Sequence, residues 1–395
     1  MSGYSQRMIA PLLGIIGALG PLATDMYLPG MPQIAADLQV GAGEVQLSLM
    51  SFFSGLMIGQ LFYGPLSDRT GRKPMIYLGL GIFIISSIGC ALASSALHLV
   101  AWRFIQGLGG SIGMVIGLAI VRDLYKGREA AKLVALIMVV TGVAPIIAPL
   151  VGTGIMAVSA WHTLFIALAV YGAVCLIVVA KVLPETRHAE HRATSRPLDA
   201  LGQYWQLLFS RNYISYVAVQ ALSQAGFFAY LAGSSFVFIS IYGLTPTLFS
   251  LIFAMNALGM VGGSQLSPRL MRWFQPRTII CSALVVYMSI AVALVLLEGA
   301  SQLTLPVMSI GLFVMIFAMA VVMPLNGMMA LEAYGAISGT AAALMGALQF
   351  GAGSLASFVV GAAADGTAGP MLMTIAACGC MASLVAWRAF PQSRR

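Results

Sequence analysis

Twelve apolar runs of about 20 residues dominate this sequence, and charged residues, prolines or glycines separate each run from the next. A helix needs about 20 mostly apolar residues to cross a bilayer. Because backbone hydrogen bonds must close within each segment in lipid, such runs form helices. We therefore predict an all-α membrane fold with spans near residues 8–28, 44–65, 74–95, 98–121, 130–156, 161–183, 213–239, 247–268, 277–297, 303–328, 336–362 and 369–388.

The composition excludes a soluble protein. Charged residues make up 8% of the 395 positions and hydrophobic residues 60%, whereas soluble domains are about 25% charged. The 43 glycines are typical of helices that pack closely in lipid through small side chains. The net charge of +8 comes almost entirely from short stretches between the apolar runs. It therefore indicates membrane topology, and no nucleic-acid partner is expected.

The lysines and arginines predict the orientation of the chain. With the N-terminus inside, nearly every basic residue falls on an inner loop, whereas the outer loops carry acids such as Asp37, Glu44, Glu298 and Asp365. This positive-inside pattern predicts that both termini are cytoplasmic. No small-residue cleavage site follows the first apolar run, so we expect a retained first helix and not a signal peptide.

One hydrophilic segment, KVLPETRHAEHRATSRPLDA, lies at the midpoint of the chain. It predicts an N-terminal six-helix bundle over residues 1–183, a cytoplasmic linker over 184–212 and a C-terminal six-helix bundle over 213–395. The HAEH stretch at 188–191 lacks the spacing of a metalloprotease, and the five cysteines fall inside apolar runs, so no metal site is predicted. Because no Walker motif is present, we expect neither ATP nor a cofactor to drive the protein.

Two charged residues stand inside apolar runs. Asp25 lies in GPLATDMYLPG of the first run, and Arg103 lies in HLVAWRFIQGLGG of the fourth. At 1.5 Å per residue, each is about 26–29 Å from the basic residue that marks the inner end of its helix. The two side chains are therefore expected at similar depth in the outer part of the bundle, where they can pair.

These two charges have a structural and a functional interpretation. Asp25 is merely interfacial if the first helix ends near residue 28, and Arg103 is then a structural tie or a side chain that snorkels outward. In the functional interpretation, Asp25 takes up and releases a proton, because burial disfavours its charged form and a nearby cation or polar substrate favours it. Arg103 keeps its proton and sets the field around Asp25.

The loop after the second run reads GPLSDRTGRKP, residues 64–74. Its glycines permit a tight turn and close helix packing, and its acid and bases can form a charge network that gates the cytoplasmic side. Every position resembles the loop signature of the major facilitator superfamily, and the equivalent loop of the second half has Met271 where Asp68 falls. The gating role is assigned to Gly64, Asp68, Arg69, Gly71, Arg72 and Lys73.

The fifth run contains TGVAPIIAPLVGTG, residues 141–154. It resembles the Gly-Pro motif of proton-driven drug exporters, although Ala148 precedes the second proline and Thr153 replaces a second glycine. The repeated Ala-Pro predicts small-residue packing and a kink. The residues assigned to this antiporter-type kink are Pro145, Pro149 and Gly152.

The segment Arg103-Phe-Ile-Gln106-Gly107 is similar to the superfamily's Arg-x-x-Gln-Gly motif, which is associated with proton coupling. Together with DMYLP at 25–29 and the Ala-Pro run, it makes the chain resemble the Bcr/CflA subfamily of multidrug exporters. Members of that subfamily expel bicyclomycin, phenicols of chloramphenicol type and sulfonamide-like compounds in exchange for protons.

The resemblance implies a major facilitator fold and a proton-coupled antiporter that works by alternating access in the bacterial inner membrane. Its expected partners are a small drug, protons and membrane lipid, and a monomer is expected. The proton gradient drives transport, with Asp25 and Arg103 as the coupling residues. Because Asp25 is one obvious membrane carboxylate, we expect one proton per drug, which makes the exchange of a neutral drug electrogenic.

Substrate contacts are predicted from polar and aromatic side chains within the spans. Four of them lie near one face of the seventh helix, where two amides and two aromatic rings suit a mixed drug-like ligand. Hydrogen bonds between helices and core packing are the alternative, and they are the favoured interpretation for the single amides Asn256, Asn326 and Gln349. The predicted substrate contacts are Tyr27, Gln106, Gln220, Gln224, Phe227, Phe228, Asn256 and Gln349.

Two other functions compete with drug export. A facilitator-fold importer of a small metabolite can use the same Asp-Arg pair, because the fold does not specify the direction of coupling. A membrane-embedded enzyme requires a nucleophile with a base, or clustered metal ligands. Only His98 and His162 lie near membrane ends, and neither has an acidic neighbour in the sequence, so we predict that the protein is not an enzyme.

Overall fold

The computed structural model describes residues 6–187, 190, 192 and 197–390, and these residues contain helices and no strand. Twelve spans in this part of the chain are long and apolar enough to cross a membrane, as the sequence predicts. The HAEH stretch includes residues 188, 189 and 191, which lie outside the described residues. The spans, α1 to α12, are Ile9–Asp37, Ala42–Thr70, Arg72–Ala91, Ala96–Leu124, Gly127–Met156, His162–Val182, Arg211–Ile241, Pro246–Leu270, Pro276–Gly299, Leu305–Glu332, Ser338–Ala362 and Gly369–Ala389.

A shorter helix, Asp199–Phe209, precedes α7 and is called the linker helix below. It lies between the two sets of six spans, inside the predicted linker 184–212 and at the end of the hydrophilic segment. The exact boundaries of the two bundles stay a prediction.

Local chemistry sets where the helices begin and end. Before α2, the Glu44 carboxylate accepts a hydrogen bond from the Gly41 N–H at 2.8 Å, and before α8 the Thr245 hydroxyl accepts one from the Leu248 N–H at 3.3 Å. Such bonds satisfy amides that have no partner within the helix. Helix α2 ends at Thr70, and the next residue, Gly71, has a φ of +106° that suits glycine. This conformation lets the chain reverse into α3 within one residue.

The first span is longer than predicted. Its α-helical segment Leu19–Asp25 is followed by the 3₁₀ turn Leu28–Gly30 and by the helix Met31–Asp37. Prolines begin both later segments, at positions where the missing N–H is not needed. The α-helical hydrogen bonding is therefore interrupted between Asp25 and Met31, a segment called the bend of α1 below, and the span continues for about 18 Å beyond Asp25. The predicted end at residue 28 is wrong, and so is the interfacial interpretation of Asp25.

Glycines allow the helices of the first half to approach closely, as the composition predicts. A Cβ atom on Gly107 of α4 would lie 2.1 Å from the Phe52 carbonyl oxygen of α2. A Cβ atom on Gly152 of α5 would lie 2.3 Å from the Met26 carbonyl oxygen, next to Asp25. Helix α5 continues through Pro145 and Pro149 without interruption.

The two halves meet along α2 with α11 and along α5 with α8. Hydroxyl groups cross this interface away from the 64–74 loop: Ser54 bonds Ser354 at 2.7 Å, and Thr153 bonds Ser250 at 2.8 Å. Near the 64–74 loop, in contrast, a cavity of about 570 Å³ separates the halves. The structure is therefore open between the halves at the end that carries this loop. At the opposite end the halves stay in contact, since a Cβ atom on Gly43 of α2 would lie 2.3 Å from the Gly361 carbonyl oxygen of α11, and a second cavity of about 540 Å³ lies beside this contact.

Substituting Gly152 tests the contact between α5 and the bend of α1. We expect Gly152→Ala to lower the free energy of unfolding by about 1–3 kcal/mol, because the added methyl group overlaps a backbone oxygen that cannot move freely. Thermal unfolding in detergent measures the change. Gly154→Ala is the matched control, since nothing lies within 4 Å of its added Cβ atom. Equal stability of the two variants would contradict the packing described here.

Candidate functional site

The bend of α1 positions Asp25. The side chain is only 5% exposed, and its carboxylate has no ion-pair or hydrogen-bond partner in the described part of the chain. The turn that follows it, Leu28–Gly30, packs against α7 and α8 of the second half. Asp25 therefore lies deep in the membrane region and close to the interface between the halves.

Arg103 of α4 is fully buried, with 0% exposure. Its Nη1 donates to the Ala23 carbonyl oxygen at 3.0 Å and to Gln106 Oε1 at 2.6 Å. Gln106 in turn donates from Nε2 to the Ser87 hydroxyl at 2.7 Å. The guanidinium thus ties α4 to α1, two residues before Asp25, and reaches α3 through Gln106.

Three aromatic rings surround the Arg103 guanidinium. Its carbon lies 4.2 Å from the ring centroid of Phe52, 4.8 Å from that of Tyr27 and 5.9 Å from that of Phe165. Such rings attract a cation through their negative faces, and the attraction grows when water is excluded. Nε and Nη2 of the guanidinium have no hydrogen-bond partner in the described residues.

The predicted ion pair between Asp25 and Arg103 is absent from the described residues. Arg103 and Asp25 do lie at similar depth, because Arg103 bonds the Ala23 carbonyl oxygen. The guanidinium, however, packs on the aromatic rings and makes no ion pair with the carboxylate in the described residues. Sequence spacing gives the height of a side chain along its helix but not the direction in which its head group points.

Tyr27 and Gln106 belong to the Arg103 cluster. Both are fully buried, and the Tyr27 hydroxyl bonds Ser48 Oγ at 2.8 Å. Neither lines an open surface in this conformation, so the structure places these two predicted substrate contacts in the support of Arg103.

The four predicted contacts on α7 have different surroundings in the structure. The ring centroid of Phe228 lies 4.4 Å from that of Phe53 of α2 and 5.6 Å from that of Phe350 of α11. Phe228 therefore packs in the interface between the halves. Gln220 and Gln224 each have an amide oxygen without a hydrogen-bond partner in the described residues. These two amide oxygens can still accept hydrogen bonds from a ligand, and the partly buried Phe227 lies on the same side of α7.

The single amides of the second half have different surroundings. Asn256 of α8 donates from Nδ2 to the Tyr230 hydroxyl of α7 at 2.9 Å, as the structural interpretation predicts. Asn326 of α10 is fully buried, and neither of its amide atoms has a partner in the described part of the chain. Its predicted role as a structural hydrogen bond is therefore wrong in this conformation. Gln349 is partly buried on α11.

Tyr230 is a residue that sequence reasoning missed. It is fully buried, accepts the hydrogen bond from Asn256, and its ring stacks on that of Phe253 of α8 with centroids 5.8 Å apart. A tyrosine in the run FFAYLAG looks like ordinary core packing, so no sequence signal separates it from its neighbours.

The charge network of the 64–74 loop centres on Arg72. Its side chain donates to Asp68 at 2.8 Å and to Asp123 of α4 at 2.9 Å, and Arg187 approaches both acids at 3.6 and 3.9 Å. Glu185 accepts hydrogen bonds from the N–H groups of Arg72 and Lys73 at 2.9 and 3.1 Å. Asp123, Glu185 and Arg187 were not predicted, because they come from segments distant from the motif and no sequence signal marks them.

The other motif residues lie at the edge of this network. Arg69 is exposed, and the Lys73 ammonium donates to the Ala180 carbonyl oxygen at 3.2 Å. Gly71 faces the Glu185 carboxylate so closely that a Cβ atom would lie 2.5 Å from it. A Cβ atom on Gly64 would meet only ordinary contact at 3.7 Å, so close packing is not the reason for glycine there.

The cavity beside this network is lined by both halves and by the linker helix. It extends from Gln60 and Met114, deep between α2 and α4, to Asp68, Tyr204 and Thr340 at its mouth. Asp25 is not among its lining residues. In this conformation the carboxylate is therefore separated from the open end of the protein.

Comparison with known proteins identifies the family. The model of the Major Facilitator Superfamily matches residues 13–357. The chain belongs to the major facilitator superfamily. It is 37% identical over 362 residues to the "Uncharacterized MFS-type transporter YdgK" of Bacillus subtilis, covering 91% of this chain and 90% of that protein. It is 32% identical to the "Bicyclomycin resistance protein homolog" of Haemophilus influenzae, covering 93% and 92% of the two chains.

A solved structure supports the fold. The crystal structure of a D-xylose-proton symporter superposes with a TM-score of 0.74 at 16% identity and covers 98% of both chains. The family, the relatives and the twelve spans of the described residues make the protein a multi-pass membrane transporter and not an enzyme. The relatives agree with the resemblance to the Bcr/CflA subfamily.

The Arg103 cluster can be tested by a substitution that keeps its charge. We expect Arg103→Lys to lower the free energy of unfolding by about 1–3 kcal/mol, because an ammonium cannot bond Ala23 and Gln106 together while stacking on flat rings. Unfolding in detergent measures the loss, and Arg69→Lys, at an exposed position of α2, is the matched control. A stability equal to wild type in Arg103→Lys would contradict the structural role described here.

Proposed function

We propose that this transporter exports small antibiotics of bicyclomycin, phenicol or sulfonamide type from the bacterial cytoplasm in exchange for protons. The observation that carries the proposal is the buried Asp25 carboxyl, which has no cation partner in the described residues and sits at the bend of α1 beside the interface between the halves. Ionisable groups in such positions usually belong to ion or substrate pathways.

In an alternating-access cycle, a carboxyl at this position can couple proton uptake to drug export. In the conformation described, the halves are joined by hydroxyl bonds at one end and separated by the cavity at the other. In the proposed cycle, Asp25 takes up a proton when the protein opens to the outside. The inward-open protein then binds the drug and releases the proton, so one proton enters for each drug that leaves.

The Arg103 cluster contributes a fixed positive charge near this carboxyl. The guanidinium is held within two residues of Asp25 along α1 by its bond to Ala23. A change in the bend of α1 would move Asp25 relative to that charge, and a closer cation favours the ionised carboxylate. The motion between the two halves and the release of the proton are thereby linked through one short segment.

For the drug itself, the proposed contacts lie on α7. Gln220 and Gln224 have amide oxygens without hydrogen-bond partners in the described residues, and the partly buried ring of Phe227 supplies apolar contact. A site that combines a few unpaired amides with aromatic rings suits a compact, neutral antibiotic with several hydrogen-bonding groups. The name of the Haemophilus influenzae relative, which refers to bicyclomycin resistance, supports a compact antibiotic as the substrate.

The remaining features follow from the same proposal. We place the protein as a monomer in the inner membrane with both termini cytoplasmic, on the basis of its positive-inside pattern. The cavity then opens to the cytoplasm, where an exporter collects its substrate. No cofactor is proposed, because the proton gradient supplies about 2.3 kcal/mol per 100 mV for each charge that moves.

Transport in inverted membrane vesicles tests the role of Asp25. Vesicles acidified inside should accumulate chloramphenicol when they contain the wild-type protein, and a protonophore should abolish this accumulation. We expect Asp25→Asn to reduce accumulation to the level of vesicles without the transporter, because an amide cannot carry the proton. Asp37→Asn is the matched control, since Asp37 lies on the same span but is exposed.

Two outcomes would contradict the proposal. Proton-dependent accumulation by Asp25→Asn at the wild-type level would exclude Asp25 as the carrier. Accumulation by wild type only when the vesicles are acidified outside would indicate coupled movement of drug and protons in one direction, as in an importer.

A further inference from the structure

The linker helix Asp199–Phe209 has a row of large apolar side chains that no part of the described protein covers. Leu201, Trp205, Leu208 and Phe209 are all exposed, as is Leu198 immediately before the helix. At 3.6 residues per turn, these five positions fall within about 100° of the helix circumference. We call this row the apolar face of the linker helix.

The other two faces of this helix are different. Ala200, Tyr204 and Leu207 are buried against the protein, about 120° around the helix from the apolar face. The remaining side carries Asp199, Gln203 and Gln206, of which Asp199 and Gln206 are exposed. One helix thus presents a face packed on protein, a polar face and an uncovered apolar face, which is the division expected of a helix that lies along a membrane surface.

The depth of the linker helix agrees with that arrangement. The Tyr204 hydroxyl donates to the Leu61 carbonyl oxygen of α2 at 2.9 Å, and Leu61 lies nine residues, or about 13 Å, before the inner end of α2 at Thr70. Burial, and to a smaller extent the Asp68 carboxylate, raises the pKa of Tyr204 to about 12, so this hydroxyl keeps the proton that it donates. The helix is therefore held beside the ends of the spans and not out in water.

The tryptophans of the chain mark the same level. Of its five tryptophans, Trp205, Trp273 and Trp387 are 65%, 72% and 69% exposed. Trp273 follows the end of α8, and Trp387 lies in the last turn of α12, so all three are at the end of the protein where the linker helix lies. Arg272 and Arg388 stand beside two of them. Exposed tryptophans with neighbouring arginines typically sit at the boundary between lipid tails and head groups.

We infer that the linker helix is an interfacial helix, which lies in the plane of the membrane with its apolar face in the boundary between acyl chains and lipid head groups. Its partner is the bilayer itself, because the apolar face continues at the same level as the exposed tryptophans of α8 and α12. The linker helix contacts both halves: Tyr204 bonds Leu61 of the first half, and Gln203 accepts a hydrogen bond from the Thr340 hydroxyl of the second half at 2.6 Å.

The linker helix also borders the cavity between the halves. Asp199, Ala200, Gln203 and Tyr204 line the cavity mouth, so the same helix forms a wall of the mouth and rests on lipid. Any movement of the halves at this end must therefore displace a helix that is seated in the membrane surface.

Nitroxide labels on the reconstituted full-length protein test the inference. Single cysteines are introduced as Leu201→Cys, Trp205→Cys and Leu208→Cys on the apolar face, and as Asp199→Cys and Gln206→Cys on the exposed polar face. The five native cysteines are replaced by serine or alanine in all of them. We expect labels on the apolar face to be at least threefold more accessible to oxygen than to a water-soluble nickel chelate, and the other two labels to show the reverse.

Two results would overturn the inference. High nickel accessibility at all five positions would place the helix in water, and low accessibility to both reagents on the apolar face would show that protein covers it, for example a second copy of the chain. If the cysteine-free background does not fold, lipids brominated at carbons 6 and 7 provide a second measurement. Wild-type fluorescence should then lose more intensity than that of Trp205→Phe, and equal losses would contradict the inference.

Discussion

The burial of one guanidinium constrains the whole first half of this transporter. Arg103 carries a permanent charge with no exposure to solvent, and its neighbours are arranged to accommodate it. A main-chain carbonyl of α1, the amide of Gln106 and three aromatic rings surround it. Removing such a charge from water is expensive unless hydrogen bonds and polarisable groups replace the lost hydration. The positions of α1, α2, α3, α4 and α6 are therefore linked through a single side chain.

Asp25 lies beside this cluster without joining it. The carbonyl two residues earlier bonds Arg103, and the turn three residues later packs against the second half. Tyr230 and Asn256 then extend the polar contacts from α7 to α8. A segment that touches a fixed charge on one side and the opposite half on the other is well placed to connect protonation with movement, since both depend on the same bend of α1.

Much of the fold could be predicted from the sequence, because the lipid environment imposes a length and an apolar composition on every span. The prediction failed where local chemistry overrode that pattern. The first span was expected to end near residue 28, yet Pro29 begins a helical turn and the chain continues as a helix. The Asp25–Arg103 pair was inferred from depth alone, and the aromatic rings that attract the guanidinium come from α1, α2 and α6, whose rotations the sequence does not specify. Asp123 and Tyr230 were missed because their partners are distant in the chain.

Proton release on drug binding tests the central claim most directly. Purified protein in a weakly buffered detergent solution is mixed with chloramphenicol, and a pH indicator reports the protons released. The account predicts that wild type releases about one proton per drug bound, whereas Asp25→Asn binds the drug and releases none. Equal proton release by the two proteins, with binding of the drug confirmed for both, would show that the coupling proton resides elsewhere and would contradict the account.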